Sequence, residues 1–357
     1  MSVSIIKNEP EMNRREFVRI ATAGAAGLAF MGLPPGRSEA AIQKYPHWGE
    51  AVIVRDEGAT KGPLINGNVV REMLDDAIKT LTNGGGWQSL IPSYKPGEIV
   101  GIKVNAQIPK IATQPRVIAA VIQGLVGIGV PKDKIIIWDC EAPSMMHSNY
   151  WPLMREFPGL RITTTDKLDD YYDQSKVMDI QGNPAHLSRL LTQATHLINV
   201  PVLKSHFEAG VTFALKNHLG SVGKDIKERQ KLFHNPIDES KPMHKIMGRG
   251  SPIAERIALI NTAPDIKDKT RLIVGDALFG LYRMGPFGEP EFVYNGLIVG
   301  TDPVAVDHQA RLIIENEKRK NNVPIVPSLH IDHAIKLGLG APIEEIKVTP
   351  ITRTAKG

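Results

Sequence analysis

The 357-residue sequence has a single cysteine, Cys140. One thiol excludes an internal disulfide. It also excludes a four-cysteine zinc or iron–sulfur site built by this chain alone, so any metal must come to histidine or carboxylate ligands. Aromatic residues are scarce, at 6%, and no basic stripe interleaves with them; nucleic acid is therefore not an expected partner. Neither sign of charge runs in a long block, and the net charge is only +5. With 42% hydrophobic and 23% charged residues, global disorder is excluded as well. A small anionic ligand needs only a few local lysines and stays open.

Familiar chemical signatures are missing too. The stretch "GSVGKD" lacks the first glycine of a phosphate loop, because position 218 is His, and Asp225 stands where Ser or Thr is needed. "GLVGIGVPK" departs from the dinucleotide fingerprint at Lys132. Neither a G-x-S-x-G elbow nor an H-E-x-x-H helix occurs.

Long apolar runs are absent from the body, so no stable membrane span is expected there. The one run, Ile20 to Leu33, lies in the leader. It follows the pair Arg14-Arg15 and precedes the small-residue site Ser38-Glu39-Ala40. That order predicts a twin-arginine signal over residues 1–40, use of the twin-arginine export machinery, and a periplasmic or otherwise exported location. A membrane anchor is the alternative. Such signals mark proteins exported already folded, often with a cofactor loaded.

What the body does contain is alternation. Val52–Val54, Ile99–Val104, Ile135–Trp138, Leu197–Val202, Leu272–Val274 and Leu297–Val299 read as strands, and Val69–Leu81, Arg116–Gly127, Pro252–Asn261 and Val304–Glu317 as helices. Near-continuously apolar strands separated by helices predict an α/β fold, a mostly parallel sheet with helices on both faces and irregular inserted segments. Residues 41–357 are expected to form one domain. The polar segments 141–195 and 224–250 interrupt the pattern; the first is a candidate lid or inserted subdomain.

Ligands of parallel α/β sheets sit at the carboxyl ends of strands. Lys103, Asn105, Asp139, Lys204, His206, Asp276 and Asp302 follow or end such strands, and parallel strands would gather them on one edge. Asp302 before Pro303 also reads as a helix cap. Lys103, in an apolar strand, requires a carboxylate partner or a polar pocket. The run "NVPVLKSHFEAGVTFALKNHLGSVGKD" then adds Thr212, Lys216 and Asn217. "VTFALKNHLG" reads as a short helix closed by Gly220, which puts Thr212 and Lys216 four apart on one face. Gly210 would let backbone approach a ligand. His206 and Lys204 are the catalytic candidates. Lys216, Lys103, Asn105, Thr212 and Asn217 are candidates for holding a ligand or cofactor.

"GIKVNAQ", "THLINVPVLKSHFEAGVTFALKNHLGSVG", "LIVGDALFG" and "GTDPVAVDHQA", with an isolated His234, together resemble the family named domain of unknown function 362. The likeness covers most of residues 50–345. More distantly, "LKSHFEAGVTFALKN" is similar to a segment of nickel-pincer lactate racemases. That likeness implies His206 as a proton-transfer residue, Lys216 as the lysine joined to a pincer cofactor, and His234, with His206, as metal ligands. Ser205 replaces a proline of that segment, and Phe213-Ala214-Leu215 replaces its Gly-Gly-Arg. His147 and His186 are the candidates for a partner histidine.

These readings point to a metal- or cofactor-dependent enzyme on a small anionic substrate, with racemase-like or redox chemistry. A periplasmic binding protein for a small anion or metal, without turnover, is the alternative. An assembly partner of an exported redox complex is a third reading.

Overall fold

In this computed structural model the described residues are 45–92, 94–167, 170–223, 232, 252–283 and 285–354. The leader, His234 and the 224–250 connection, apart from Leu232, lie outside them. Residues Lys44–Gly357 group as one compact unit. Among the described residues no helix is long and apolar enough to cross a membrane.

Ten strands share the main sheet. In chain order they are β1 (Glu50–Asp56), β2 (Val100–Val104), β3 (Ile135–Asp139), β4 (Arg161–Thr164), β5 (His196–Val200), β6 (Val202–His206), β7 (Gly210–Thr212), β8 (Thr270–Leu281), β9 (Phe292–Gly300) and β10 (Lys347–Arg353). Across the sheet the order is β10-β1-β9-β8-β5-β2-β3-β4, with β6 on β8 and β7 on β6. Only β9 and β7 run against the rest. The sheet is thus mostly parallel. Strands β2, β3 and β5 are buried at every residue, which explains their nearly unbroken apolar sequence.

Helices cover both faces. On one side α1 (Gly67–Leu81) and α2 (Pro115–Gly127) pack on Val100, Ile102, Ile137 and Ile198. The side chain of Asn66 caps α1, and Val70, Met73, Leu74, Ala77, Ile78 and Leu81 form its buried stripe at helical spacing. On the other side lie α3 (Ala214–Asn217), α4 (Ile253–Ile260), α5 (Pro303–Lys320) and α6 (Leu329–Lys336). There Val306, Ala310 and Ile314 pack against Ile273 and Ile298.

Two strand expectations change. The single strand expected over Leu197–Val202 is two, because Pro201 has no N–H to give the ladder. Past it the chain leaves β2 and runs beside β8, where Val202 faces Asp276. The strand expected over Leu272–Val274 extends to twelve residues. Residues 141–195, the candidate lid or inserted subdomain, supply edge strand β4. They also supply a hairpin, Tyr172–Ile180 and Asn183–Ser188, that pairs with Val222–Gly223.

Candidate functional site

Trp138, Lys103 and Asn199 form one row across β3, β2 and β5. Lys103 is buried, and of the two expected solutions, a carboxylate or a polar pocket, it has the carboxylate: Asp139, 2.8 Å from Nζ. Asp139 Oδ1 also accepts from the Cys140 N–H, and Oδ2 from the Ala106 N–H at 2.7 Å. Burial pushes the Asp139 carboxyl up, but Lys103 and these amides outweigh it and hold it below the ordinary range. Gly220 closes over the pair: a Cβ there would stand 2.7 Å from Asp139 Oδ1.

From this ion pair a hydrogen-bond chain runs outward. Asn217 Oδ1 accepts from Lys103 Nζ at 3.5 Å and from Asn105 Nδ2 at 3.1 Å, while Asn217 Nδ2 donates to Asn199 Oδ1 at 2.7 Å. Asn105 Oδ1 accepts from Lys204 Nζ at 2.7 Å, and Ile111 O lies 3.4 Å from the same amine. Thr113 fixes the turn by accepting from the Asn105 N–H and donating to Val200 O. Asp276 Oδ2 accepts from the Gln114 N–H at 2.7 Å, and burial pushes its carboxyl up to about 6.

Lys204 is the unusual member. It is only 2% exposed and, among the described residues, its amine hydrogen-bonds neutral oxygens alone. Burial first, then the like charge of Lys216, lowers its ammonium to about 7; Asp139 pulls it up and Lys103 lowers it further. Lys216 is part-exposed and forms neither hydrogen bond nor salt bridge with a described residue. Burial of its amine brings it down to about 8 against an upward pull from Glu208. Thr212 stands opposite Lys204 across β6 and β7, so both project from one face. Its buried Oγ1 has no hydrogen-bond partner among the described residues. His206, two residues along β6, shares that face.

His206 Nδ1 accepts from the N–H groups of Glu208 at 3.1 Å and Ala209 at 3.2 Å. A nitrogen that accepts from two amides carries no proton, so the neutral ring bears its proton on Nε2. With Nδ1 so engaged, Nε2 is the ring atom that remains for a donor or ligand role. His218 is buried with Nδ1 3.0 Å from Ser221 Oγ. Burial, then Lys103, lowers it to about 3, so it stays neutral.

Several expectations are corrected. Thr212 and Lys216 do not share a helix, because Gly210–Thr212 is a strand and α3 begins at Ala214. Gly210, at φ 76°, packs on Val326–Ser328 rather than opening toward a ligand. Asp302 follows the reversed strand β9, so it lies at the opposite edge. There it caps α5 and accepts from Val304, Ala305, Gly49 and Ala341. His147 is exposed, 2.6 Å from Pro143 O. His186 sits on the hairpin opposite Gly223. Asn199, Thr113 and Asp307 went unremarked in the sequence. Asn199 was detectable as a lone amide inside an apolar strand, whereas Asp307 sits mid-helix and gave no signal.

Among the described residues no three His, Cys, Asp or Glu side chains gather to hold a metal. The described residues, His206 among them with Nδ1 turned to two amides, do not by themselves build the nickel half of a pincer centre. His234 lies outside the described set. Two surface hollows, one lined by Glu57, Thr60 and Asn66 and the other by Glu72, Asp76 and Arg353, share no residue with the cluster.

The profile of a family described as "Domain of unknown function (DUF362)" matches residues 100–311, well over half of the chain. No curated protein matches it. The structure of the lactate racemase apoprotein from Thermoanaerobacterium thermosaccharolyticum aligns with a TM-score of 0.45 at 12% identity, over 73% of this chain and 56% of that one. The chain therefore spans little more than half of the racemase's length.

Proposed function

Because this chain belongs to the Domain of unknown function (DUF362) family, whose name assigns no chemistry, we propose a function from the site itself. The protein is an enzyme that binds a small anion at Lys204 and Lys216 and exchanges a proton with it. The observation that carries this reading is Lys204, a buried amine without a carboxylate partner among the described residues. Buried charges are normally paired, since an unpaired one is costly. An anion entering beside Lys204, Lys216 and the Thr212 hydroxyl would supply the missing charge and partner. His206 stands on the same strand face. An amine poised near neutrality is suited to general acid–base work, so Lys204 is the group that takes or returns the proton. Lys103, held by Asp139, meets Asn217, Asn217 meets Asn105, and Asn105 Oδ1 orients Lys204.

The test uses the exported chain with oxalate, lactate and phosphate as probes, by calorimetry and by proton NMR in deuterated water. Lys204→Met should weaken oxalate at least tenfold, and wild type should exchange the C2 proton of lactate. Tight binding of every probe with no exchange would favour a binding protein without turnover. No binding of any probe would end the anion reading.

Export by the twin-arginine route to the periplasm is proposed alongside, supported by Arg14-Arg15 and the apolar run after them. Replacing both arginines by lysine should leave the protein in the cytoplasm on cell fractionation.

A further inference from the structure

The helix α3, which carries Lys216 and Asn217, has only four residues. A helix of that length does not hold itself together. Phe213 at its N-cap gives no side-chain cap bond. Its first two N–H groups go instead to a residue 93 and 92 positions away in sequence. Asp307 Oδ1 accepts from Ala214 at 2.6 Å, and Oδ2 from Leu215 at 3.2 Å. The carbonyls are held as well: Asn199 Nδ2 donates to Ala214 O at 3.0 Å and Asn261 Nδ2 to Leu215 O at 2.9 Å. Behind Asp307 stands His330 of α6, its Nε2 3.4 Å from Oδ2, both residues wholly buried. A carboxylate aimed at a helix start also meets the positive end of the peptide dipoles.

We propose that Asp307 is a positioning residue of the anion centre: backed by His330, it fixes α3 so that Asn217 meets Lys103 and Asn105 and Lys216 stands beside Lys204. The path is continuous, from the carboxylate to the two N–H groups, through Asn217, to Asn105 and Lys204. This rests on the reading of Lys216 as part of that centre. Asp307 touches no ligand; it acts through the helix.

The experiment follows Lys216 itself. Its labelling by acetic anhydride is measured against pH by peptide mass, with exposed Lys61 as reference. Asp307→Asn keeps the size but accepts only one N–H well. With α3 loosened toward water, the Lys216 midpoint should rise by about half a unit or more, and labelling at pH 8 should slow about twofold or more. Removing a negative charge alone would move the midpoint down. A lowered or unchanged midpoint in a variant with wild-type circular dichroism overturns the proposal. Should that variant fail to fold, Asn261→Ala releases the same helix from its other side. An upward shift there supports the proposal and none overturns it. Oxalate should also protect wild-type Lys216 from labelling. Lack of protection would count against the anion reading, while the midpoint shift still judges Asp307.

Discussion

Asp302 and Lys204 are both buried charges at strand ends of one sheet, at opposite edges, and they are treated in opposite ways. Asp302 accepts four backbone N–H groups, two from the start of α5 and two from Gly49 and Ala341. Its oxygens are used up in joining three segments. Lys204 has two neutral acceptors and a second lysine nearby. A satisfied charge builds structure, whereas an unsatisfied one is retained at a cost in stability that a ligand can relieve. Lys103 and Asp139 lie between these cases, a matched pair beside the unmatched amine.

That contrast can be broken at several points. Asp302→Ala should cost the most, about 4 kcal/mol in urea unfolding, because four N–H groups lose their acceptor. The folded fraction should keep its oxalate affinity; loss of affinity would mean the two edges are not separate. Lys103→Met should cost about 3 kcal/mol by leaving Asp139 uncompensated, and adding Asp139→Asn should return part of it. Gly220→Ala should cost about 2 kcal/mol, since its Cβ would crowd Asp139. Lys204→Met sharpens the comparison from the other side. It should cost no stability while weakening oxalate by about 1.4 kcal/mol or more.

The pH dependence is the subtlest expectation. In the folded protein Lys204 titrates near 7, against an ordinary 10.5. Between those values the unfolded chain holds more protons, so this residue's contribution to stability rises with pH across that window. Oxalate affinity runs the other way, falling above pH 7 as the amine loses its charge. Urea unfolding and calorimetry from pH 6 to 9 should give opposite slopes, and Lys204→Met should flatten both. Parallel slopes would mean that another group controls the site.

Some of this was legible in the residues. Apolar runs such as "IIIWD" and the stripe of α1 specify strand and helix locally, because period and burial are written in side-chain type. Lys103 inside "GIKV" demanded a carboxylate partner or a polar pocket on desolvation grounds alone, without saying that Asp139 would be the partner. His206 illustrates the limit. Its type suggested a base, but which ring nitrogen holds the proton depended on two amides of the turn that follows it.

By itself, then, the sequence determined the alternation of strands and helices, the burial of a lysine in an apolar strand, and the helix start at Asp302-Pro303. Each follows from interactions among near neighbours or from the cost of burying one group. Only the tertiary structure decided that β9 runs backward and carries Asp302 to the far edge, that Thr212 faces Lys204 across two strands, and that Asp307 holds α3. Those contacts join residues far apart in the chain, and their partners are chosen by packing of the whole sheet rather than by any local pattern.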